Sequence, residues 1–583
     1  MAEPATGERL RIIPEDATAA MPSRAKDALY RFKVFIFRTR RLALDLAGGV
    51  QRLPLSKTFL PNVVSMSRTP LWSDTRPAER LMQLGKVQNL RIAARLLDGT
   101  DIAAGRMFSF WKQLGHPNRF RGFSAGRMLQ QGCMVPSVGG GLCQLSNALY
   151  DAALKAECEI VERHAHSRVV PGSVAAAGRD ATVAWNYVDL RFRAKARLQL
   201  RVRVLRDELV VEFHGDRDAP SRAGHRLADI PTAAARTCGT CEEVSCFRHE
   251  RESAAAAART AYLVDEAWPE FVAFVARERK PQDAIGVPID GRRWGLGRYD
   301  WDTDGFRDVA AATDLALWRS LAARRLAKQG PERQIFQLRA AEALAGRLAK
   351  RLTADVTDVI VAQSLLPFLW RDGHLGGRRF RVLMTRLPIR ALQSRLDEAA
   401  QRHPERTTLA DFRAPAEIAA WEDEALAAAD GVISPHAELI ALYPARAMPL
   451  AWRVPSPTAS PSARAPRIAF PGPTVARKGA YELRDAARRL AIEIVPLGSE
   501  LEGGDFWSGV RLGRPDATHW LSGIGAVVQP AVIEESPRRL LAALANGVPV
   551  IATRACGLPP QNGLTIVPSG DADALAAAIR SAL

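Results

Sequence analysis

A cysteine follows three consecutive glycines in Gly139-Gly140-Gly141-Leu142-Cys143. The residues after it, Gln144 to Leu154, carry the apolar spacing of an amphipathic helix, which puts Cys143 at a helix amino end. Backbone amides and the positive end of the helix dipole favour a thiolate there. A nucleophilic thiol also needs a base, and Glu162-Arg163-His164-Ala165-His166 offers two histidines. On a strand from Glu159 to Ser167, alternation places Glu162, His164 and His166 on one face. With Asp180 or Asp189 orienting the imidazole, Cys143 and one histidine would form a Cys-His-Asp arrangement suited to acyl transfer or amide hydrolysis. The same residues have a packing reading: a small buried thiol, glycines that allow close contact, and histidines that satisfy core hydrogen bonds. A metal held by Cys143, His164 and His166 is a third arrangement, without an evident fourth ligand.

A second cluster lies further on, in Thr237-Cys238-Gly239-Thr240-Cys241-Glu242-Glu243-Val244-Ser245-Cys246-Phe247-Arg248-His249. Cys238, Cys241, Cys246 and His249 make three thiols and an imidazole on a tight turn, a set that fits a closed tetrahedral zinc loop. An iron–sulfur centre ranks behind zinc, and a redox dithiol or cysteines in a linker are the other readings. Seven cysteines, an odd number with three packed into one short segment, do not read as a disulfide framework.

The elements that must hold these groups follow from the rest of the chain. At 583 residues it exceeds one core, and its 47% hydrophobic and 25% charged residues are those of globular protein. The net charge of +18 suits anionic partners such as nucleotide-sugar diphosphates or phospholipid. Basic patches interleaved with aromatics are not evident, so no nucleic-acid partner is expected. Residues 1–58 read as a disordered lead followed by a basic helix over 24–46. There Leu29, Phe32, Phe35, Ile36, Leu42 and Leu46 can share an apolar side while Arg31, Lys33, Arg38, Arg40 and Arg41 lie elsewhere. That helix can lie on an anionic membrane surface or dock on its own domain with snorkelling arginines. The acidic amino-terminal stretch lacks the apolar run of a secretory signal, and no run is long enough to span a bilayer. The expectation is a cytoplasmic protein, with peripheral contact at the inner membrane face through residues 24–46.

Residues 59–218 read as an α+β domain. A helix runs from Gln88 to Leu97, a strand-like stretch from Ile102 to Phe110, and an antiparallel pair from Asp189 to Val204 and Glu208 to His214. Within it NLRIAARLLDGT, GRMFSFWKQLG, GGGLCQLSNALYDAAL, ERHAHS and GRDATV with DLRFR closely resemble the VanW family over about residues 60–215. The order of glycine turn, cysteine, histidine and aspartate is similar in layout to transglutaminase-like and papain-like thiol enzymes. Residues 219–255 form the cysteine-rich insert.

From about Ala261 short apolar strands alternate with Ala/Leu/Arg-rich helices, which implies two Rossmann-like doubly wound units. They span 256–454 and 467–583, joined by a Pro/Ser/Ala-rich linker at 455–466. The second resembles the nucleotide-sugar half of retaining GT-B glycosyltransferases, through Gly472, Arg477-Lys478-Gly479, Gln529-Pro530-Ala531, Glu534 with Ser536-Pro537-Arg538, and LANGVPVIAT from Leu544. The resemblance implies a nucleotide-sugar donor with Gly472, Arg477, Lys478 and Glu534 beside it, the cations at the diphosphate. The family's second glutamate, which holds the donor ribose, is replaced by Ala542. No glycine-rich loop follows Leu263-Val264-Asp265, and His374 and His436 read as surface residues. Together these parts imply a VanW-like protein with a glycosyltransferase module that modifies a glycan or cell-envelope precursor. A Cys143-dependent acyl-transferase or amidase with a glycan-recognition module, and a non-catalytic envelope-precursor scaffold, are the alternatives.

Overall fold

The computed structural model describes residues 24–56, 58–72, 79–130, 133–165, 179–216, 258–327, 329–457, 465–516 and 519–583. The chain forms two compact units. One comprises Met1–Arg259 with Leu352–Thr357 and Asp372–Arg378; the other comprises Thr260–Arg351, Asp358–Arg371 and Arg379–Leu583. His166, Cys238, Cys241, Cys246 and His249 lie outside the described residues, and with them the whole zinc or iron–sulfur set. Among the described residues, no helix is long and apolar enough to cross a membrane.

The first unit is α+β. Its strands are β1 (Asn62–Pro70), β2 (Thr100–Ile102), β3 (Met107–Ser109), β4 (Ala125–Gln130), β5 (Cys133–Val138), β6 (Glu159–Glu162), β7 (Arg191–Arg193), β8 (Leu198–Val204) and β9 (Glu208–Gly215). They build an antiparallel sheet in the order β1-β9-β8-β2, a small sheet β3-β7-β6 and the hairpin β4-β5. The helix Cys143–Lys155 buries Leu145, Ala148, Leu149, Ala152 and Ala153, a helical repeat that joins Phe108, Phe192 and Phe213 in one core.

Three expectations change here. The helix of Gln88 already starts at Arg80. The stretch from Ile102 to Phe110 divides into β2 and β3, in different sheets, with a positive-φ turn at Gly105 between them. The long strand from Asp189 likewise divides into β7 and β8, because a bend before Leu198 carries the chain from one sheet to the other.

The glycine turn depends on close backbone contact. A Cβ on Gly140 would lie 2.3 Å from the Gly126 carbonyl carbon, and one on Gly126 would lie 2.5 Å from the Gly140 oxygen. Buried Asn89 clamps this contact. Its amide nitrogen donates to the carbonyls of Ser124 and Gly140, each at 2.9 Å, and its amide oxygen accepts from the Ser124 amide at 2.8 Å.

The second unit is α/β. A seven-stranded sheet runs β12-β11-β10-β13-β14-β15-β16. Its strands are β10 (Arg259–Leu263), β11 (Ala284–Val287), β12 (Asp308–Ala311), β13 (Val356–Ala362), β14 (Arg379–Leu383), β15 (Gly431–Ser434) and β16 (Ala447–Pro449). A six-stranded sheet runs β19-β18-β17-β20-β21-β22, from β17 (Arg467–Phe470), β18 (Glu493–Pro496), β19 (Arg511–Leu512), β20 (Ala526–Gln529), β21 (Val550–Ala552) and β22 (Leu564–Ile566). The second sheet is parallel throughout. Its strands are apolar on both sides: Ile468 and Phe470 join one core cluster and Ala469 the other. Both sheets are doubly wound, with strand order reversing between β10 and β13 and between β17 and β20, the two Rossmann-like units that alternating strands and helices imply.

Replacing Asn89 by alanine removes three buried hydrogen bonds at once. It is expected to cost the first unit about 2–4 kcal/mol, read as a lower denaturation midpoint for that unit's transition.

Candidate functional site

Cys143 is the first residue of its helix, half-buried against the core of the first unit. Its sulfur lies 3.8 Å from the carbonyl oxygen of Val183. The expected Cys-His-Asp set does not assemble among the described residues. The strand expected to run from Glu159 to Ser167 ends at Glu162, because its partner β7 is only three residues long and the ladder is bulged between Ile160 and Glu162. His164 therefore lies beyond the sheet, exposed, with Nε2 at 3.1 Å from Glu162 Oε1. Asp180 is buried and accepts a hydrogen bond from Arg163 at 2.6 Å. Asp189 is buried as well, held by the Ser109 hydroxyl at 2.6 Å and the Arg191 guanidinium at 2.8 Å.

Several polar residues of the glycine–cysteine helix hold the segment around Asp180. Ser146 Oγ donates to the Ala181 carbonyl at 2.5 Å, and the Asn147 amide oxygen accepts from the Ala181 amide at 2.8 Å. Buried Asp151 takes Lys155 at 2.6 Å and Arg179 at 3.1 Å. Gln144 donates to the Pro70 carbonyl at 2.6 Å. Ser146, Asn147 and Asp151 thus tie the helix to residues 179–181, and Gln144 ties it to the end of β1.

Glu162 belongs to an ionic network with Arg41, Arg191 and His164. Burial alone would raise its carboxyl. Hydrogen bonds from His164 and Arg41 and the charges of Arg41 and Arg191 outweigh that and bring it down to about 2.

In the second unit the expected donor residues converge where β17 and β20 diverge. Gly472 follows β17, and its Cβ position is 3.3 Å from Lys478 Cβ and 3.5 Å from the Gln529 amide nitrogen. Arg477 and Lys478 lie on a short 3-10 turn closed by Gly479 at φ +79, where a Cβ would lie 2.2 Å from the Pro530 carbonyl oxygen. The amides of Val532 and Ile533 bond back to the Arg477 carbonyl at 2.9 and 3.2 Å. Lys478 Nζ meets Glu534 Oε2 at 2.9 Å, Gln529 donates to the same oxygen, and the amides of Glu535 and Ser536 donate to Oε1 at 2.9 and 3.0 Å. Burial would raise Glu534; the Lys478 charge and these hydrogen bonds lower it below the usual carboxylate range.

Arg477 is different. Its guanidinium lies 4.5 Å over the Phe412 ring, and among the described residues it makes no hydrogen bond or ion pair; its Nε is buried without a partner. Burial lowers its pKa against the nearby charges of Glu535, Glu534 and Asp411. Phe412, Arg477, Lys478, Ile533, Glu534 and Leu392 line a cleft of about 270 Å³, and Glu535 and Ser536 complete it. Phe412 holds φ at +62, a conformation bulky side chains rarely adopt and one that clusters at functional sites. No sequence signal marks it.

His436 is not a surface residue. It is buried, with Nε2 at 3.0 Å from the Glu534 carbonyl. At the crevice of the seven-stranded sheet, Asp265 is filled in by Arg319 at 2.9 Å and the Ser364 hydroxyl at 3.1 Å. Ala542 lies on the helix Arg538–Ala545 and supplies no carboxylate. Among the described residues no group of three His, Cys, Asp or Glu is arranged to hold a metal.

Residues 85–214 match the family model for VanW like protein, and residues 468–583 match that for glycosyl transferases group 1. The uncharacterized protein YoaR of Bacillus subtilis (strain 168) is 31% identical over 150 residues, 25% of this chain and 48% of that protein. The vancomycin B-type resistance protein VanW of Enterococcus faecalis (strain ATCC 700802 / V583) is 31% identical over 144 residues, 24% of this chain and 52% of that one. The chain thus spans about half the length of these curated relatives. Among solved structures, HepE of Anabaena in complex with UDP and glucose has a TM-score of 0.34 at 14% identity, covering 56% of this chain and 89% of that one. A sucrose-phosphate synthase from Thermosynechococcus elongatus has a TM-score of 0.33 at 16% identity, covering 55% and 89%. Residues 85–214 are thus similar to VanW like protein and residues 468–583 to glycosyl transferases group 1.

Two measurements follow. Iodoacetamide is expected to modify half-buried Cys143 before Cys158 or Cys556, both buried and with thiols pushed up by burial to about 12. His164→Ala should leave the Cys143 rate unchanged. Because folding depresses Glu162 from 4.5 to about 2, its stabilising contribution is complete above about pH 4.5 and disappears as pH falls toward 2. Urea midpoints across that range should fall less steeply for Glu162→Gln than for the wild type.

Proposed function

We propose that the second unit transfers a sugar from a nucleotide-activated donor to a glycan or cell-envelope precursor, with Arg477 as the principal diphosphate cation. The observation that carries this reading is the open Arg477 guanidinium in the cleft at the β17–β20 switch point, where doubly wound folds take their ligands. A guanidinium can grip a diphosphate through two parallel hydrogen bonds. As the sugar–phosphate bond breaks, negative charge gathers on the leaving diphosphate, and a cation already aimed at it lowers the barrier. Lys478 adds charge at the same edge, oriented by Glu534. Gly472, without a side chain, lets Lys478 and Gln529 pack close at this edge.

The nucleoside end is less well supplied. With Ala542 where the family's second glutamate holds the ribose, recognition rests more on the diphosphate, so donors differing in base should be weakly discriminated. For the first unit the staples formed by Ser146, Asn147 and Asp151 support binding or scaffolding of the envelope precursor over thiol catalysis. A nucleotide-activated donor supports action on the cytoplasmic side.

Calorimetry of the full chain with UDP, GDP and their sugars should show binding that Arg477→Ala weakens about 10- to 100-fold. Lys478→Ala should also lower thermal stability, since it leaves the Glu534 carboxylate without its cation. Absence of nucleotide binding by the wild type across this panel would refute the proposal.

A further inference from the structure

The helix Arg24–Ala47 docks on the first unit by its polar side. Tyr30 meets the Tyr187 hydroxyl at 3.0 Å, Arg38 donates to the Trp185 carbonyl at 2.6 Å, Arg41 to Glu162 at 2.7 Å, and Asp45 accepts from Arg191 at 2.6 Å. Tyr30, Val34, Arg41 and Asp45 recur at helical spacing and are, among its described side chains, the buried or half-buried ones. The opposite side is therefore turned to solvent, and it is apolar. Leu29 is 54% exposed, Phe32 62%, Phe35 63% and Ile36 46%, with Leu46 continuing the stripe. An amphipathic helix that packs on its own domain normally does the reverse.

We infer that this outward face is a docking surface for an anionic phospholipid bilayer, on which the helix lies in the interfacial plane. Charge complementarity selects this occupant. Lys33 and Arg40, both exposed, flank the apolar stripe on one side and Arg31 on the other, placing cations level with lipid phosphates while the aromatic rings enter the acyl boundary. The polar contacts to Glu162 and Arg191 hold the helix along the unit's surface, so the stripe is presented without unfolding. A helix of 24 residues presents more than six turns to the surface. Lipid binding here and sugar transfer at the cleft are separate properties, and either can fail without the other.

The test is flotation of the full chain with phosphatidylcholine vesicles, with and without phosphatidylglycerol. The wild type should float with the anionic vesicles, less so as salt rises, and not with phosphatidylcholine alone. The double variant Phe32→Glu, Ile36→Glu should lose at least about tenfold in partitioning with its circular dichroism and melting temperature retained, since both side chains already face water. The variant Lys33→Glu, Arg40→Glu, which leaves the apolar stripe intact, should weaken binding and flatten its salt dependence. Failure of the wild type to float with anionic vesicles, or flotation of either variant equal to that of the wild type, overturns the inference. So does a concentration-dependent dimer that Phe32→Glu, Ile36→Glu abolishes in a chain that ignores lipid, because a second copy would then be the occupant.

Discussion

The carboxylate of Glu534 holds the cleft of the second unit together. It draws in Lys478 from one loop, Gln529 from the end of β20 and two amides of its own turn, while its backbone carbonyl meets His436. A buried carboxylate without partners would be costly, so each of these groups is fixed where the charge needs it. The Glu270–Arg538 pair fastens the same region from the other sheet, two hydrogen bonds of 2.7 and 2.6 Å with Trp268 and Trp452 flanking the guanidinium. Arg477 is left over from this arrangement, a cation adjoining a satisfied network to which it does not belong. The hydrogen bonds of Glu534 are thus met without Arg477, whose guanidinium stacks on Phe412 beside the charges of Glu535, Glu534 and Asp411.

The first unit makes a contrasting use of polar residues. Asn89, Ser146 and Asn147 spend their hydrogen bonds on loop backbone, and Asp151 spends its own on the Lys155 and Arg179 side chains. Irregular loops can be buried only if their amides and carbonyls find partners, and here side chains of two helices provide them. Two of the motifs that resemble the VanW family, the one holding Asn89 and the helix that begins at Cys143, supply these partners.

Much of this was legible in the residues. Three glycines before an apolar repeat place Cys143 at a helix start, and strands of β17, β20 and β21 stand out as apolar runs between helices. The Glu159–Ser167 stretch misleads because its alternation continues past Glu162, where β6 loses its partner β7. Phe412 is unreadable, since its meaning lies in a backbone angle and in a cation far along the chain. The Glu270–Arg538 pair spans 268 positions, and no local pattern announces it. What sequence conveys poorly is thus the long-range pairing of charges, on which the cleft depends.

Gly126 and Gly140 have a consequence for comparing relatives. Each occupies the space in which the other's side chain would begin, so neither position can drift independently. A relative that has lost one must have reset the distance between the β4-β5 hairpin and the start of the cysteine-bearing helix. Where both persist, they act as a gauge: the helix begins at the same height above the hairpin, whichever residue stands first on it.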